Sequence, residues 1–203
     1  MAPRVSITST LGGFIKRARL SLRTALGLIA VLGILFGIGA ALRTEALNRK
    51  YAITAIDRKH GTYGVRISGP AWYRKLMKRF GGDDTSFYEP TRISFGPGNS
   101  GYDPETPFRD GDLDALAEPL ARFAGVIELL DLRGSLVTDR GIASLPPLPR
   151  LKILRLEDTR VSDEVTPYLQ RFPSLIEVWV GRTAVTGRGV SEIQRRCPGC
   201  LVR

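Results

Sequence analysis

Over the last third of the chain the apolar positions repeat with a period of 24 residues. Three stretches align without gaps: 127–150, 151–174 and 175 onward. Ile127, Leu151 and Leu175 fall in one column, Leu130, Leu154 and Val178 in a second, and Leu132, Leu156 and Val180 in a third. Val137, Val161 and Val185 make a fourth, and Leu145, Leu169 and Ile193 a fifth. Ser135, Thr159 and Thr183 add a column of hydroxyls. Columns that hold over three copies mark a structural period. Leu154 and Leu156 alternate, so both point to one face of a short strand. The stretch that follows predicts a helix with Ser162 at its N-cap and Asp163 and Glu164 in its first turn.

The consensus LxxLxLxx(S/T)xV(T/S) resembles a leucine-rich repeat. That resemblance implies an α/β solenoid of about 3–4 repeats, with parallel strands side by side and helices on the outer face. A degenerate fourth copy precedes the three. Ile93 and Phe95 take the place of Leu154 and Leu156, and Phe108, Asp110 and Leu113 that of Val137, Asp139 and Ile142. Residues 96–107, rich in Gly, Pro, Asn and Asp, form an inserted irregular loop. Leu113, Leu116, Leu120 and Phe123 then carry helical spacing.

In such a stack the residues flanking the inward pair face the concave side of the sheet. One column reads Ser94, Asp131, Arg155, Trp179; its neighbours read Arg92, Leu129, Ile153, Glu177 and Gly96, Arg133, Glu157, Gly181. Strands lie about 4.8 Å apart. Asp131 is therefore expected to pair with Arg155, Arg155 to lie over Trp179, and Arg133 to meet Glu157. These contacts serve either as cross-strand stabilisation or as a binding face, since Trp and Arg are enriched at hot spots. The candidate binding residues are Asp131, Arg133, Ile153, Arg155, Glu157, Glu177 and Trp179.

The front of the chain follows another pattern. Residues 25–42, ALGLIAVLGILFGIGAAL, hold no charge, and a helix of 18 residues rises about 27 Å, close to a hydrocarbon core of about 30 Å. This predicts an N-terminal transmembrane helix behind a basic leader, 1–24. A buried core helix and a cleaved signal peptide are the alternatives, the second with small residues Gly39, Ala40 and Ala41 at its end. Flanking basic residues lean slightly to an inside N-terminus. The expectation is a single-pass membrane protein with an extracytoplasmic C-terminal domain. Gly33 and Gly37, four apart, leave room for homo-oligomer formation through helix pairing. Residues 43–90 read as a membrane-proximal helix–strand–helix region. A first helix ends at His60-Gly61, Tyr63–Ile67 alternates as a strand, and Pro70 opens a second helix. There Trp72, Leu76 and Phe80 share helical spacing, and Arg74, Lys75, Lys78 and Arg79 lie outward. The repeat domain spans 91–203, with a C-terminal cap at 194–203.

Charge narrows the partners. The 30 Lys+Arg and 20 Asp+Glu give a net charge of +10. Five of the basic residues precede residue 43 with no acid, so the remainder carries a mild +5. No basic stripe with interleaved aromatics is present, and no nucleic-acid partner is expected. Cys197-Pro-Gly-Cys200 invites a redox or zinc reading. Zinc would need two more ligands, and His60 is the only histidine. Leu148-Pro-Arg-Leu151 and Phe172-Pro-Ser-Leu175 share the spacing, so the cysteines read as buried positions of the cap, with a local disulfide as the alternative. No nucleophile elbow, zinc helix, phosphate loop or calcium loop appears. The expectation is no catalytic residue, no metal and no cofactor, and a membrane-anchored, non-catalytic module for an unknown protein partner. The competing reading is an assembly subunit that oligomerises through the transmembrane helix and the repeat edges.

The order of parts is similar to that of short planctomycete-type membrane proteins with leucine-rich repeats. The matching stretches are Arg19–Thr24, the 25–42 run, His60–Ile67, Pro70–Leu76 and 127–193. His60-Gly61 stands where two glycines are more usual, and Gly187 where the earlier repeats have Asp139 and Asp163. The resemblance implies an interaction domain on a membrane and brings no catalytic residues.

Overall fold

A computed structural model describes residues 22–68, 71–79, 87–97 and 103–203. Residues 1–21 of the leader and the 69–70, 80–86 and 98–102 stretches, with Pro70 and Phe80, lie outside the described residues. The chain divides into two compact units, Met1–Arg43 and Thr44–Arg203.

Helix α1 runs from Leu22 to Arg58. Among the described residues no helix is long and apolar enough to cross a membrane. This corrects the expected transmembrane helix over 25–42, and with it the single-pass anchor and the extracytoplasmic location. The uncharged run of 18 residues is at the short end of the range a span needs, and four of its positions are glycine, which adds no apolar side chain. The helix also continues past Arg43 into a stretch bearing Glu45, Arg49, Lys50, Asp57 and Arg58. In the second unit its last turns bury Ala52, Ile53 and Ile56 in the core.

The second unit is built on a six-stranded mixed sheet in the order β1-β2-β3-β4-β5-β6. The strands are β1 Thr62–Ile67, β2 Tyr88–Ser94, β3 Leu129–Asp131, β4 Ile153–Arg155, β5 Glu177–Trp179 and β6 Leu201–Val202. Strands β2 to β6 are parallel; β1 joins β2 antiparallel, with a register shift between Gly64 and Val65. The parallel strands expected of the repeats are present from β2 to β6, and the strand expected in the 43–90 region, β1, joins the same sheet at its N-terminal edge. Helices α2 Ala71–Arg79, α3 Asp110–Arg122, α4 Asp139–Ser144, α5 Thr166–Leu169 and α6 Gly187–Arg196 complete the fold, with a 3-10 turn at Asp163–Val165 ahead of α5.

The register explains the apolar columns. Ile93, Leu130, Leu154 and Val178 are adjacent across the sheet and are each 0% exposed. They pack with Leu113, Leu116, Leu120, Ile142, Leu169 and Ile193 from the helices in one continuous core. Each such side chain contributes about 1.5–3 kcal/mol of burial, which is why the columns tolerate only apolar residues. Phe95 stacks on Phe108 with ring centroids 4.2 Å apart, tying β2 to the chain after the inserted loop.

Polar ladders set the spacing between repeats. Asp110 accepts from the Thr138 N–H at 2.8 Å and its hydroxyl at 2.6 Å. Asp139 does the same for Ser162 at 3.0 and 2.7 Å, and Asp163 for Thr186 at 2.7 Å on both atoms. Each hydroxyl then caps its own helix, accepting from the N–H of Arg140, Glu164 or Gly189. The turn after each strand needs a left-handed residue: Gly134, Asp158 and Arg182, at φ 64, 57 and 55°.

Candidate interaction face

One face of the sheet carries the helices; the other is open. On the open face Arg92, Leu129, Ile153, Glu177 and Leu201 form one row across the strands. Ser94, Asp131, Arg155 and Trp179 form the next, and Arg203, following β6, extends it. Strands β3 to β5 are three residues long, so each side chain on this face sits within one residue of a strand end.

Within this frame Asp131 does not pair with Arg155. It is 4% exposed and takes both arms of Arg133, Nε on Oδ1 at 2.9 Å and Nη2 on Oδ2 at 2.8 Å. It also accepts from the Arg133 N–H at 3.1 Å and the Ser94 hydroxyl at 3.3 Å. Side chains two apart on an extended chain point the same way, so Arg133 reaches back along its own repeat and fills the carboxylate with a planar fork. This bonding, ahead of the field of Asp131, Glu157 and Asp158, raises the Arg133 guanidinium above the ordinary arginine value. Arg133 and Glu157 thus interact through space, while Glu157 Oε2 is buried without a hydrogen-bond partner among the described residues.

Arg155 instead lies over the Trp179 ring, its Cζ 5.2 Å from the centroid. Its Nε is buried and has no hydrogen-bond partner among the described residues. Arg203 lies over the same ring at 4.8 Å, and the indole N–H donates to Glu177 Oε2 at 3.0 Å. Trp179 is half-buried and held by three neighbours. Ile153 and Leu129, also half-buried, form an apolar strip beside it. Arg203 is not among the candidate residues named from the sequence, although the 24-residue shift that links Arg155 to Trp179 leads to it in one more step.

The cysteines lie elsewhere. Cys197 and Cys200 are both free, Cys200 buried in the core and Cys197 packed against it. Burial pushes the Cys200 thiol up to about 11 and raises Cys197 as well. A raised thiol holds little thiolate near neutral pH, which works against nucleophilic or metal-binding use. A cleft of about 410 Å³ opens beside the 103–109 segment, lined in part by Arg58, His60, Asp103 and Phe108. Two of its acids are engaged: Asp103 by the Glu105 N–H and the Thr106 hydroxyl, Asp112 by Lys59 and the Arg109 N–H. Among the described residues no group of three His, Cys, Asp or Glu could hold a metal ion.

No family model matches the chain, and no curated protein matches it.

Proposed function

We propose that the chain is a leucine-rich repeat module that binds a protein partner, without catalysis, on the open face of its sheet around Trp179. One observation carries the reading. A half-buried indole is clasped by Arg155 and Arg203 on a face with an apolar strip beside it. Preorganised aromatic and arginine side chains of this kind lose little conformational entropy on binding and are the residue types that dominate interfaces. The test is a peptide-display selection against the full chain. Enriched binders are expected to lose affinity for Trp179→Ala while that variant keeps the wild-type melting temperature to within a few degrees. Binders indifferent to Trp179→Ala and to Ile153→Ser would overturn the reading.

A second reading is an assembly subunit. Strand β1 is an end strand of six residues with Val65 and Ile67 exposed at 40% and 54%. Such an edge can accept a strand from another copy. Sedimentation of the full chain distinguishes the two, since only the assembly reading requires concentration-dependent growth in mass that Val65→Lys abolishes.

A further inference from the structure

We infer that the partner presents an extended, polyproline-II-like segment with acidic side chains at positions i and i+3, one carboxylate on Arg155 and the other on Arg203. This rests on the interaction-face reading and gives it a chemistry. The charges on the open face decide the sign. Asp131 is filled by Arg133, Glu177 accepts from the Trp179 indole, and Glu157 lies in the field of Arg133 and Arg182. Arg155 and Arg203 meet only the indole among the described residues, and the buried Arg155 Nε donates to nothing there. The face therefore offers two arginines unanswered by carboxylate, and a carboxylate is the group their planar forks match.

Geometry sets the spacing. Arg155 and Arg203 belong to β4 and to the residue after β6, so their backbones are two strand spacings, about 9.6 Å, apart, and their guanidinium carbons, 5.2 and 4.8 Å from one ring centroid, lie no more than about 10 Å apart. A polyproline II chain rises about 3.1 Å per residue with three residues per turn, so i and i+3 lie on one face about 9.3 Å apart. A β-strand places same-face positions about 6.7 or 13.4 Å apart, and neither equals the two strand spacings that separate Arg155 from Arg203. The two intervening residues then lie along the edge of the indole, whose ring the two guanidiniums already cover, and beside the Ile153 strip, where proline rings find apolar contact. A face three residues wide also accommodates one extended chain crossing the strands.

The experiment is fluorescence polarisation of labelled peptides with the full chain. The probes are Ac-PEPPEP-NH2, its Gln-for-Glu counterpart, and isomers with the glutamates adjacent or seven apart in a helical host. The i,i+3 peptide is expected to bind best, about tenfold tighter than the Gln peptide per guanidinium engaged, and to weaken with salt. Arg155→Gln and Arg203→Gln should each remove about one such factor, with unchanged far-ultraviolet circular dichroism. Equal binding of the Gln peptide, or preference for either other spacing, overturns the inference. The interaction-face reading survives that outcome if display-selected binders of other chemistry still require Trp179, and falls with it if they do not.

Discussion

Asp163 in one repeat holds Thr186 in the next through both carboxylate oxygens, one accepting from the backbone N–H and the other from the hydroxyl, each at 2.7 Å. A Cβ on Gly189 would run into Asp163 Oδ1, and a Cβ on Gly141 into Asp110 Oδ1. The glycine three residues beyond the hydroxyl thus makes room for the previous repeat's carboxylate. Gly189→Ala should destabilise the domain by about 1–3 kcal/mol, as overpacking does. In an Asp163→Ala background the same change should cost much less, because the clashing oxygen is gone. Urea unfolding of the four proteins measures this coupling; equal costs in both backgrounds would sink the idea.

The same ladder fixes the sign of an acid response. The Thr186 hydroxyl, then its N–H, hold the Asp163 carboxyl below its ordinary value of 3.8. A depressed carboxylate contributes stability that is fully present above pH 3.8 and lost as pH falls through the lower folded value. Glu192 acts in the same direction, lowered to about 2 by Arg195 and Arg196. Both shifts are led by hydrogen bonds, but the donors differ: Glu192 accepts from two charged guanidiniums, whose attraction salt screens, whereas Asp163 accepts from the neutral Thr186 hydroxyl and N–H. High salt should therefore flatten the acid limb that Glu192→Gln removes and leave most of the limb that Asp163→Asn removes. Denaturation midpoints between pH 2 and 5, with and without 1 M salt, decide it.

Much of this was legible in the sequence, and the omissions have physical causes. The rows on the open face follow from the period of two along a strand and of 24 between repeats, so the Arg155 and Trp179 contact could be read directly. The expected Asp131–Arg155 pair follows from comparing residues across strands only. The nearer competitor, Arg133, lay two positions along the same chain. Asp163 reads as a first-turn residue of its own helix, but its hydroxyl partner Thr186, like Ser162 for Asp139, sits one repeat later, where spacing alone does not reveal a bond. The alternation of Tyr63–Ile67 marks a strand and says nothing of its direction. The uncharged 25–42 run misleads most: absence of charge over 18 residues suggests a span, whereas α1 runs on without a break into the charged stretch after Arg43.

Trp179→Ala should leave the fold standing. The ring is half-buried, and its two cation–π contacts are worth about 0.5–1 kcal/mol each. Leu154→Ala, one residue before Arg155 and fully buried, should cost about 2–5 kcal/mol. Thermal unfolding of both variants tests the division between core and face. A loss with Trp179→Ala as large as with Leu154→Ala would make the indole part of the core.

The thiols make an alkaline prediction. Cys200 is raised to about 11 by burial first and by Cys197 second. A raised thiol favours the folded state fully below its ordinary value of 9.0, and that contribution is lost as pH rises through about 11. Stability should therefore decline between pH 9 and 11, and Cys200→Ala should lessen the decline. Reaction with a disulfide reagent at pH 8 should be slow in buffer and fast in urea. Rapid modification of both thiols in the native protein would contradict their burial.

His60 and Gly61 should respond to substitution with opposite signs. His60 sits at φ 55° just beyond α1, where the chain leaves the helix through a left-handed residue. Its N–H donates to the Asp57 carbonyl at 3.0 Å, and the Gly61 N–H to the Ile56 carbonyl at 3.1 Å. A side chain in this conformation is strained, so His60→Gly should stabilise the domain by about 0.5–1 kcal/mol, less the greater freedom glycine has when unfolded. Gly61 is glycine for another reason: a Cβ there would stand 2.5 Å from Phe95 Cε1 and 2.7 Å from Ile56 Cγ2, both in the core. Gly61→Ala should therefore cost about 1–3 kcal/mol, and the rings of the Phe95–Phe108 stack must shift to accept it. Chemical denaturation of the two single variants reads both effects. A stabilising Gly61→Ala, or a destabilising His60→Gly, would mean that the chain leaves α1 by another path.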